Sequence, residues 1–482
     1  MKILWLCPPS KVEGEYPLVG QNRWFKYLPF KANFIYPIIA AEGVTLIKNA
    51  GHEIDFLEAP AEQKSMVDVL QQIWKKGYDL VIMEGRTAII TWIWQVAKTI
   101  KSTSIRTKVA LYGDHVIVRP HESLQNGIDY IIDCGDYDYG AFKLVEELSK
   151  TGYANPIFSE NIMKNLDDLP FADRDLVPWH NYFESWRHRD KFGWYQSGRG
   201  CWAKCTFCSW VYTFYGHTIR LFSPKRIADE VQYATEKWGI EEYLDDADTF
   251  IPKPWGVQFA KELEGREIEI LWNVQTRADT ALTANESDWK LMRDSGLRVV
   301  KLGVDGGNEY TLNKIQKGYR MEDAENAVKL LKKAGIEVHI NMIIGWPWET
   351  KKEAYGVIKW VKRLKPNQAQ FSLIEPFIGT PIFQEAIDNK WFVNAPQDWD
   401  KYDMKTPILQ GEMSAKEIAK LHRDAWKMFY LNPRFIIYQL EKSTKLAFEE
   451  RNLDSFRHIW RGYKGVTEGH MKAVSTGDTS NE

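Results

Sequence analysis

No stretch of this sequence approaches the roughly 18 uninterrupted apolar residues that a membrane-crossing helix needs, so no membrane span is expected. The N-terminus, "MKILWLCPPS", has one lysine and an apolar run that stops at two prolines, too short for a secretory signal. Neither charge is in excess: 63 basic against 65 acidic residues leave a net of -2. No global field then draws a polyanion, and nucleic acid and anionic membranes are not expected partners. Cysteine is scarce. Five in 482 residues cannot form a secreted disulfide framework and suit a reducing, cytoplasmic setting in which thiolates bind metal. Internal repeats of short period and low-complexity tracts are absent as well.

What is present is alternation. In the first 150 residues "KILWLC" (2–7), "HEIDFLEA" (52–59), "DLVIMEG" (79–85), "KVALYG" (108–113) and "YIIDC" (130–134) are strand-like. Helical patterns lie between them, such as "AEQKSMVDVLQQIWKKG", where Val67, Leu70 and Trp74 share one face. Five βα units predict a doubly wound, Rossmann-like parallel sheet. Ligands of such sheets sit beyond the carboxyl ends of the strands, where strand order switches. That rule selects the loops at Cys7–Pro9, Glu84–Thr87 (with Arg86), Gly113–His115 and Gly135–Asp136. A nucleotide or flavin is the alternative occupant, although no G-x-G-x-x-G follows the first strand. Residues 8–36 form a long loop carrying Trp24, Phe25, Tyr27 and Phe34, and loops of that length are usually functional.

Residues 151–190 lose the periodicity and suit a linker. From 191 to about 385 a second βα series follows, with strands expected at 194–199, 241–246, 269–278, 298–306, 337–345 and 369–377. Six such units with right-handed crossovers curl into a partial barrel. Ser223 and Pro224 open one of its helices, Ile227, Val231, Ala234 and Trp238 form its stripe, and Gly239 ends it. Residues 386–482 turn mostly helical, with a capping box at "SAKE" (414–417), and end in a polar tail.

Three of the five cysteines, Cys201, Cys205 and Cys208, stand in "GRGCWAKCTFCSW" with the spacing C-x3-C-x2-C, just after the first predicted barrel strand. In a barrel that position lines the reactive face. Three thiolates can hold three irons of a [4Fe–4S] cluster and leave the fourth open to a small molecule. Structural zinc would want a fourth ligand, such as His217 or Cys134.

This cysteine loop, with Phe207 as its aromatic, resembles the signature of the radical S-adenosylmethionine (SAM) superfamily. "YLDDADTF" and "VQTRAD" are similar to its second- and third-strand elements, and "KLGVDGGNEYTLNKIQKG" and "KKAGIEVHINMIIGWPWET" to later ones. The resemblance implies SAM contacts at Phe207, Asp245, Asp246, Arg277, Asp305 and Gly345. Asp305 stands where the family has glutamate, Trp348 replaces a glycine, and Phe377–Ile378 replace Pro-Gly. On residue type alone, a helix cap or a divalent-cation site is the lesser alternative for Asp245–Asp246.

With the doubly wound domain in front, the chain is similar to the cobalamin-binding branch of the superfamily. "KILWLCPP", "YPIIAAEGVTLIKNAGHEIDF" and "GDHVIVRPHESLQNGIDYIIDCGDYDYG" carry that likeness, with Asp114 in place of the usual proline. It implies a cobalamin (methylcobalamin) site near Glu84, Arg86, Thr87, Gly113, His115, Gly135 and Asp136. No D-x-H-x-x-G is present to supply an axial histidine. Arg86 or Thr87 is the expected cobalt-facing residue, a solvated loop arginine being the other reading of Arg86.

The function implied is methylation of an unactivated sp3 carbon on a peptide, protein or small-molecule substrate, through a 5′-deoxyadenosyl radical and methylcobalamin. A flavodoxin- or ferredoxin-type donor would supply electrons under anaerobic conditions. Oxidative cyclisation without methyl transfer is the second reading. A metal-binding scaffold or electron carrier is the third.

Overall fold

A computed structural model describes residues 1–10, 16–17, 27–28, 34–159, 161–184, 186–402 and 406–449. Trp24, Phe25 and the polar tail lie outside the described residues. Phe34, which closes the long loop, is buried and exchanges backbone hydrogen bonds with Phe183 at 2.9 and 2.7 Å.

The first unit is a parallel sheet of β1 (Lys2–Cys7), β2 (Glu53–Glu58), β3 (Leu80–Glu84), β4 (Lys108–Tyr112), β5 (Tyr130–Ile132) and β6 (Ile157–Phe158). Its order is β2-β1-β3-β4-β5-β6, so the direction of winding reverses between β1 and β3. Alternate residues serve opposite faces. Ile3, Trp5, Ile82 and Ala110 meet α1 (Ile38–Asn49) and α4 (Tyr137–Thr151), whereas Leu4, Val81 and Val109 meet α2 (Met66–Lys76) and α3 (Ile90–Thr103). β6 comes from the stretch expected to be linker. That stretch also sends Arg174 into the protein, where it donates to the Trp194 carbonyl at 2.6 Å and lies over the Tyr36 ring at 4.8 Å.

Helix α2 forms where the pattern predicts, between a capping box at Ser65–Asp68 and a left-handed Gly77. The face differs. Val67 and Trp74 are 61% and 75% exposed, and Val69 and Ile73 are buried instead. Spacings of three and four both satisfy a helical period, so the pattern fixes the helix but leaves its rotation to the sheet it docks on.

The second unit is a six-stranded parallel sheet, β7 (Phe192–Tyr195), β10 (Glu242–Asp245), β11 (Leu271–Arg277), β12 (Leu297–Asp305), β13 (Glu337–Ile344) and β14 (Gln368–Leu373), in that spatial order. The sheet is open between β7 and β14. The strand expected over 194–199 ends at Tyr195, and β8 (Gly198–Gly200) pairs antiparallel with β9 (Ile219–Leu221). Gly200 permits this: its φ is +88°, and a Cβ there would lie 2.2 Å from the Thr218 carbonyl oxygen.

Along the barrel strands Val274, Val300, Leu302, Val338, Ile340 and Met342 face outward into one apolar core. Between them run inward rows that are polar. Register places Gln275, Lys301, His339 and Gln368 side by side, and Arg277, Gly303, Asn341 and Gln370 in the next row.

The helix after β9, α5 (Pro224–Trp238), is capped by the Ser223 hydroxyl, which accepts from Arg226 N, and ends at left-handed Gly239. Trp238 at its end is half-buried, its indole N–H donating to Asp175 at 2.7 Å. The C-terminal helices α6 (Ala415–Tyr430) and α7 (Pro433–Glu449) follow, α6 opening on the predicted capping box of Ser414 and Glu417. Among the described residues no helix is long and apolar enough to cross a membrane.

Candidate active site

The cysteine loop is threaded between barrel loops. Thr206 donates its backbone N–H to the Ile315 carbonyl at 3.0 Å, and its own carbonyl accepts from Ile382 N at 3.1 Å. Cys208 N donates to Cys205 O at 3.1 Å, which folds the second and third cysteines into one turn. Burial pushes the Cys201 thiol up and the Cys208 thiol up to about 12, the neighbouring Cys205 adding to the latter. Such thiols stay protonated until a metal replaces the proton.

The countercharge is Arg277. Its Nη1 lies 3.5 Å from Cys205 Sγ, while Nε and Nη2 reach the two oxygens of Asp279 at 3.0 and 2.9 Å, and Nη2 also donates to the Lys317 carbonyl. Lys317 is 4% exposed and places Nζ 2.5 Å from Asp305 Oδ2. Its Nζ also lies 5.9 Å from the centre of the Phe207 ring, which packs edge-on against Trp346 at 5.7 Å. Phe207, Arg277 and Asp305 therefore converge beside Cys205. Asp305 holds a left-handed φ of +65°, uncommon for a residue with a side chain.

Lys317 and Tyr319 belong to this cluster but were not singled out in the sequence. Tyr319 donates to the Gly303 carbonyl at 2.9 Å and lies under the Arg277 guanidinium. A lone lysine in a loop is normally solvated, and only its place in "IQKGY" set it apart.

Other expected SAM contacts are engaged by the protein. Asp245 is fully buried and accepts from Ser197 N at 2.8 Å, Ser197 Oγ at 2.5 Å and Ala247 N at 3.1 Å. Burial pushes its carboxyl up to about 7. Asp245 thus pins the turn that follows β7. Asp246 is buried beside it, its backbone N–H donating to the Tyr195 carbonyl at 2.8 Å. Gly345 has φ +82°, and a Cβ there would meet Ile418 Cγ2 of α6 at 2.7 Å.

At the carboxyl edge of the first sheet, Arg86 bonds Glu84 at 2.6 Å. Gly113, with φ +127°, approaches so closely that a Cβ would lie 2.7 Å from the Gly85 carbonyl oxygen; Gly135 meets the Asn161 carbonyl in the same way. These two glycines join loop to loop. Thr87 donates to Asp114 at 3.1 Å, and His115 lies buried edge-on to Trp94 and Trp399. Burial takes the His115 imidazole down to about 3, so it is neutral.

The Asp136 carboxylate is buried against Arg199 Nη1 at 2.9 Å and Arg220 at 2.6 and 2.7 Å, which ties this loop to the barrel. Arg199 also bonds Asp138 at 2.8 and 2.9 Å and Glu42 at 2.7 Å. Although burial works against it, the two arginines hold Asp136 below the usual carboxylate range. Burial pushes Glu42 up to about 8 despite Arg199.

A parallel open barrel with a three-cysteine loop at its carboxyl mouth defines a class, and comparison with known proteins agrees. Residues 195–361 match the radical SAM superfamily, and this part of the chain is a radical SAM domain, the kind of domain that works with SAM and a [4Fe–4S] cluster. The chain is 28% identical over 405 residues to a protein of Pyrococcus horikoshii described as an uncharacterized methyltransferase, covering 80% of this chain and 86% of that one. It is 27% identical over 247 residues to the anaerobic magnesium-protoporphyrin IX monomethyl ester cyclase of Rubrivivax gelatinosus, covering 51% of this chain but only 43% of the cyclase. The fold is that of the radical SAM methyltransferase TsrM from Kitasatospora setae, solved with cobalamin and a [4Fe–4S] cluster bound. The TM-score is 0.65 at 14% identity, over 90% of both chains.

Proposed function

We propose that this chain is a cobalamin-dependent radical SAM C-methyltransferase acting on an unactivated sp3 carbon of a peptide, protein or small-molecule substrate. The observation that carries the reading is the buried pairing of Arg199 with Asp136, because it sets the carboxyl edge of the first sheet against the cysteine loop. When bound, a [4Fe–4S] cluster supplies the electron that splits SAM, and cobalamin supplies a transferable methyl group.

The residues suit both groups. Cys201, Cys205 and Cys208 offer one thiolate to each of three irons, and Arg277 balances the charge they gain. Lys317, beside Asp305, is a buried cation suited to a carboxylate. Phe207 and Trp346 close the same space to water. At the edge of the first sheet Glu58 Oε1 and Glu84 Oε1 are buried without hydrogen-bond partners, as groups awaiting a polar ligand are. The neutral His115 ring, edge-on to two tryptophans, likewise leaves its Nε2 buried without a hydrogen-bond partner. The methyltransferase description of the Pyrococcus relative and the cobalamin held by TsrM support the reading. The cyclase relative supports the second one, oxidative cyclisation.

The test is single turnover by anaerobically reconstituted enzyme with a flavodoxin- or ferredoxin-type reductant, SAM labelled in its methyl group, and peptide and metabolite extracts. Formation of 5′-deoxyadenosine with a labelled product is expected. An oxidised product without label selects cyclisation, and absence of 5′-deoxyadenosine rejects both readings.

A further inference from the structure

The inward face of β13 carries polar atoms that the protein leaves without partners. Both ring nitrogens of His339 and the Oδ1 of Asn341 are buried and accept or donate no hydrogen bond. Val338, Ile340 and Met342, which alternate with them, face the outer core. His339 and Asn341 therefore share the lumen side, about 6.6 Å apart along the strand. Buried polar groups are nearly always satisfied, and an orphan calls for an explanation; three adjacent orphans call for a ligand.

Their place in the barrel says which ligand. Asn341 shares a row with Arg277, separated from it only by Gly303. A Cβ at Gly303 would meet nothing nearer than Asp305 Oδ2 at 3.6 Å and Lys317 Nζ at 3.8 Å, so this row has room beside the cluster of Arg277, Asp305 and Lys317. The nearby charges are already matched: Lys301, next to His339 in register, lies 4.0 Å from Glu184 and 4.3 Å from the centre of the Trp186 ring. Burial and Lys301 keep His339 neutral. A neutral imidazole offers one donor and one acceptor, and the Asn341 oxygen accepts.

We infer that His339 and Asn341 form the polar end of the substrate site and bind an uncharged group that both donates and accepts hydrogen bonds, an amide or a hydroxyl. A carboxylate has no proton for Asn341 Oδ1, and a hydrocarbon would leave all three atoms unsatisfied. The inference rests on the radical SAM reading of the barrel mouth and deepens it.

The probes are acetamide, sodium acetate and toluene, each titrated against the thermal midpoint of the full-length, cluster-loaded enzyme. Acetamide raises the midpoint saturably, and acetate and toluene do not. His339→Phe and Asn341→Leu abolish the acetamide response while themselves melting above wild type, since each removes unpaired polar atoms from the interior; His339→Gln, which keeps a donor and an acceptor, retains the response. A rise with acetate or toluene equal to that with acetamide overturns the inference, and so does an acetamide response that survives both Asn341→Leu and His339→Phe. If His339→Phe does not fold, Asn341→Leu and His339→Gln decide by the same criteria. SAM cleavage by wild-type enzyme is scored separately. Without cleavage the radical SAM reading fails; with cleavage but no amide-selective rise, this inference alone fails.

Discussion

Arg199 and Asp136 meet at 2.9 Å with neither side chain reaching solvent. Asp136 opens helix α4 of the first unit, and Arg199 stands two residues before Cys201. The pair therefore fixes the cysteine loop relative to the first sheet, and Glu42, Asp138 and Arg220 complete its surroundings.

Replacing Arg199 by methionine leaves Glu42 and Asp138 buried without their cation. Breaking a buried ion pair from one side costs about 3–5 kcal/mol. Denaturant unfolding followed by tryptophan fluorescence should show a lowered midpoint, and cobalamin retention on gel filtration should fall with it. An unchanged midpoint would mean that the network contributes no net stability.

Glu42 gives the network a pH dependence. Its carboxyl rises from an ordinary value of 4.5 to about 8 in the folded protein, chiefly through burial. The folded state thus holds a proton that the unfolded chain has already released. Its contribution is complete below pH 4.5 and is lost as pH rises through 8. Glu42→Gln should remove the fall of the thermal midpoint that Glu42 causes between about pH 4.5 and 8, and below pH 4.5, where both side chains are neutral, the two profiles should run parallel.

Each of Cys201→Ser, Cys205→Ser and Cys208→Ser should lose iron and sulfide after anaerobic reconstitution and form no 5′-deoxyadenosine. Cys7→Ser and Cys134→Ser should keep both. Full iron content in any member of the first set would remove the assignment.

Arg277→Lys keeps the charge but cannot reach Cys205, Asp279 and the Lys317 carbonyl together. Iron content should persist while SAM cleavage slows by about 100-fold, the scale of losing one preorganised donor. Quantifying 5′-deoxyadenosine against time reads this directly.

Gly345→Ala should destabilise by about 1–2 kcal/mol, the cost of a left-handed residue with a side chain, with more from the overlap on Ile418. Adding Ile418→Ala should recover only the overlap part, as a two-variant cycle of thermal midpoints would show.

Both parallel sheets were legible because buried strands between helices read as short apolar runs bounded by turn residues. Cys201, Cys205 and Cys208 stood out because they crowd into one loop of a chain with five cysteines. The partners of Asp136 and Asp245 were not legible, for a shared reason. A carboxylate at a strand end looks the same in sequence whether it faces a ligand or a buried arginine or serine, and only the three-dimensional partner, Arg199 or Ser197, decides. Val67 and Trp74 misled through phase, since the period was right and the docking face was not. His339 and Asn341 passed unnoticed because inward polar residues on a barrel strand resemble the solvent side of an amphipathic one. In an open polar barrel that alternation marks the lumen.

The outer margin of β14 is dressed by side chains. Tyr430 Oη accepts from Ala369 N at 3.2 Å and donates to Ala369 O at 2.6 Å, and His422 Nε2 lies 3.0 Å from the Phe371 carbonyl. Uncovered strand borders recruit strands from other molecules, and here two residues of one helix occupy the groups that recruitment would use. A chain cut short before residue 415 would keep its cysteines and its lumen but offer a sticky ribbon to every copy it meets, and would be recovered as aggregate.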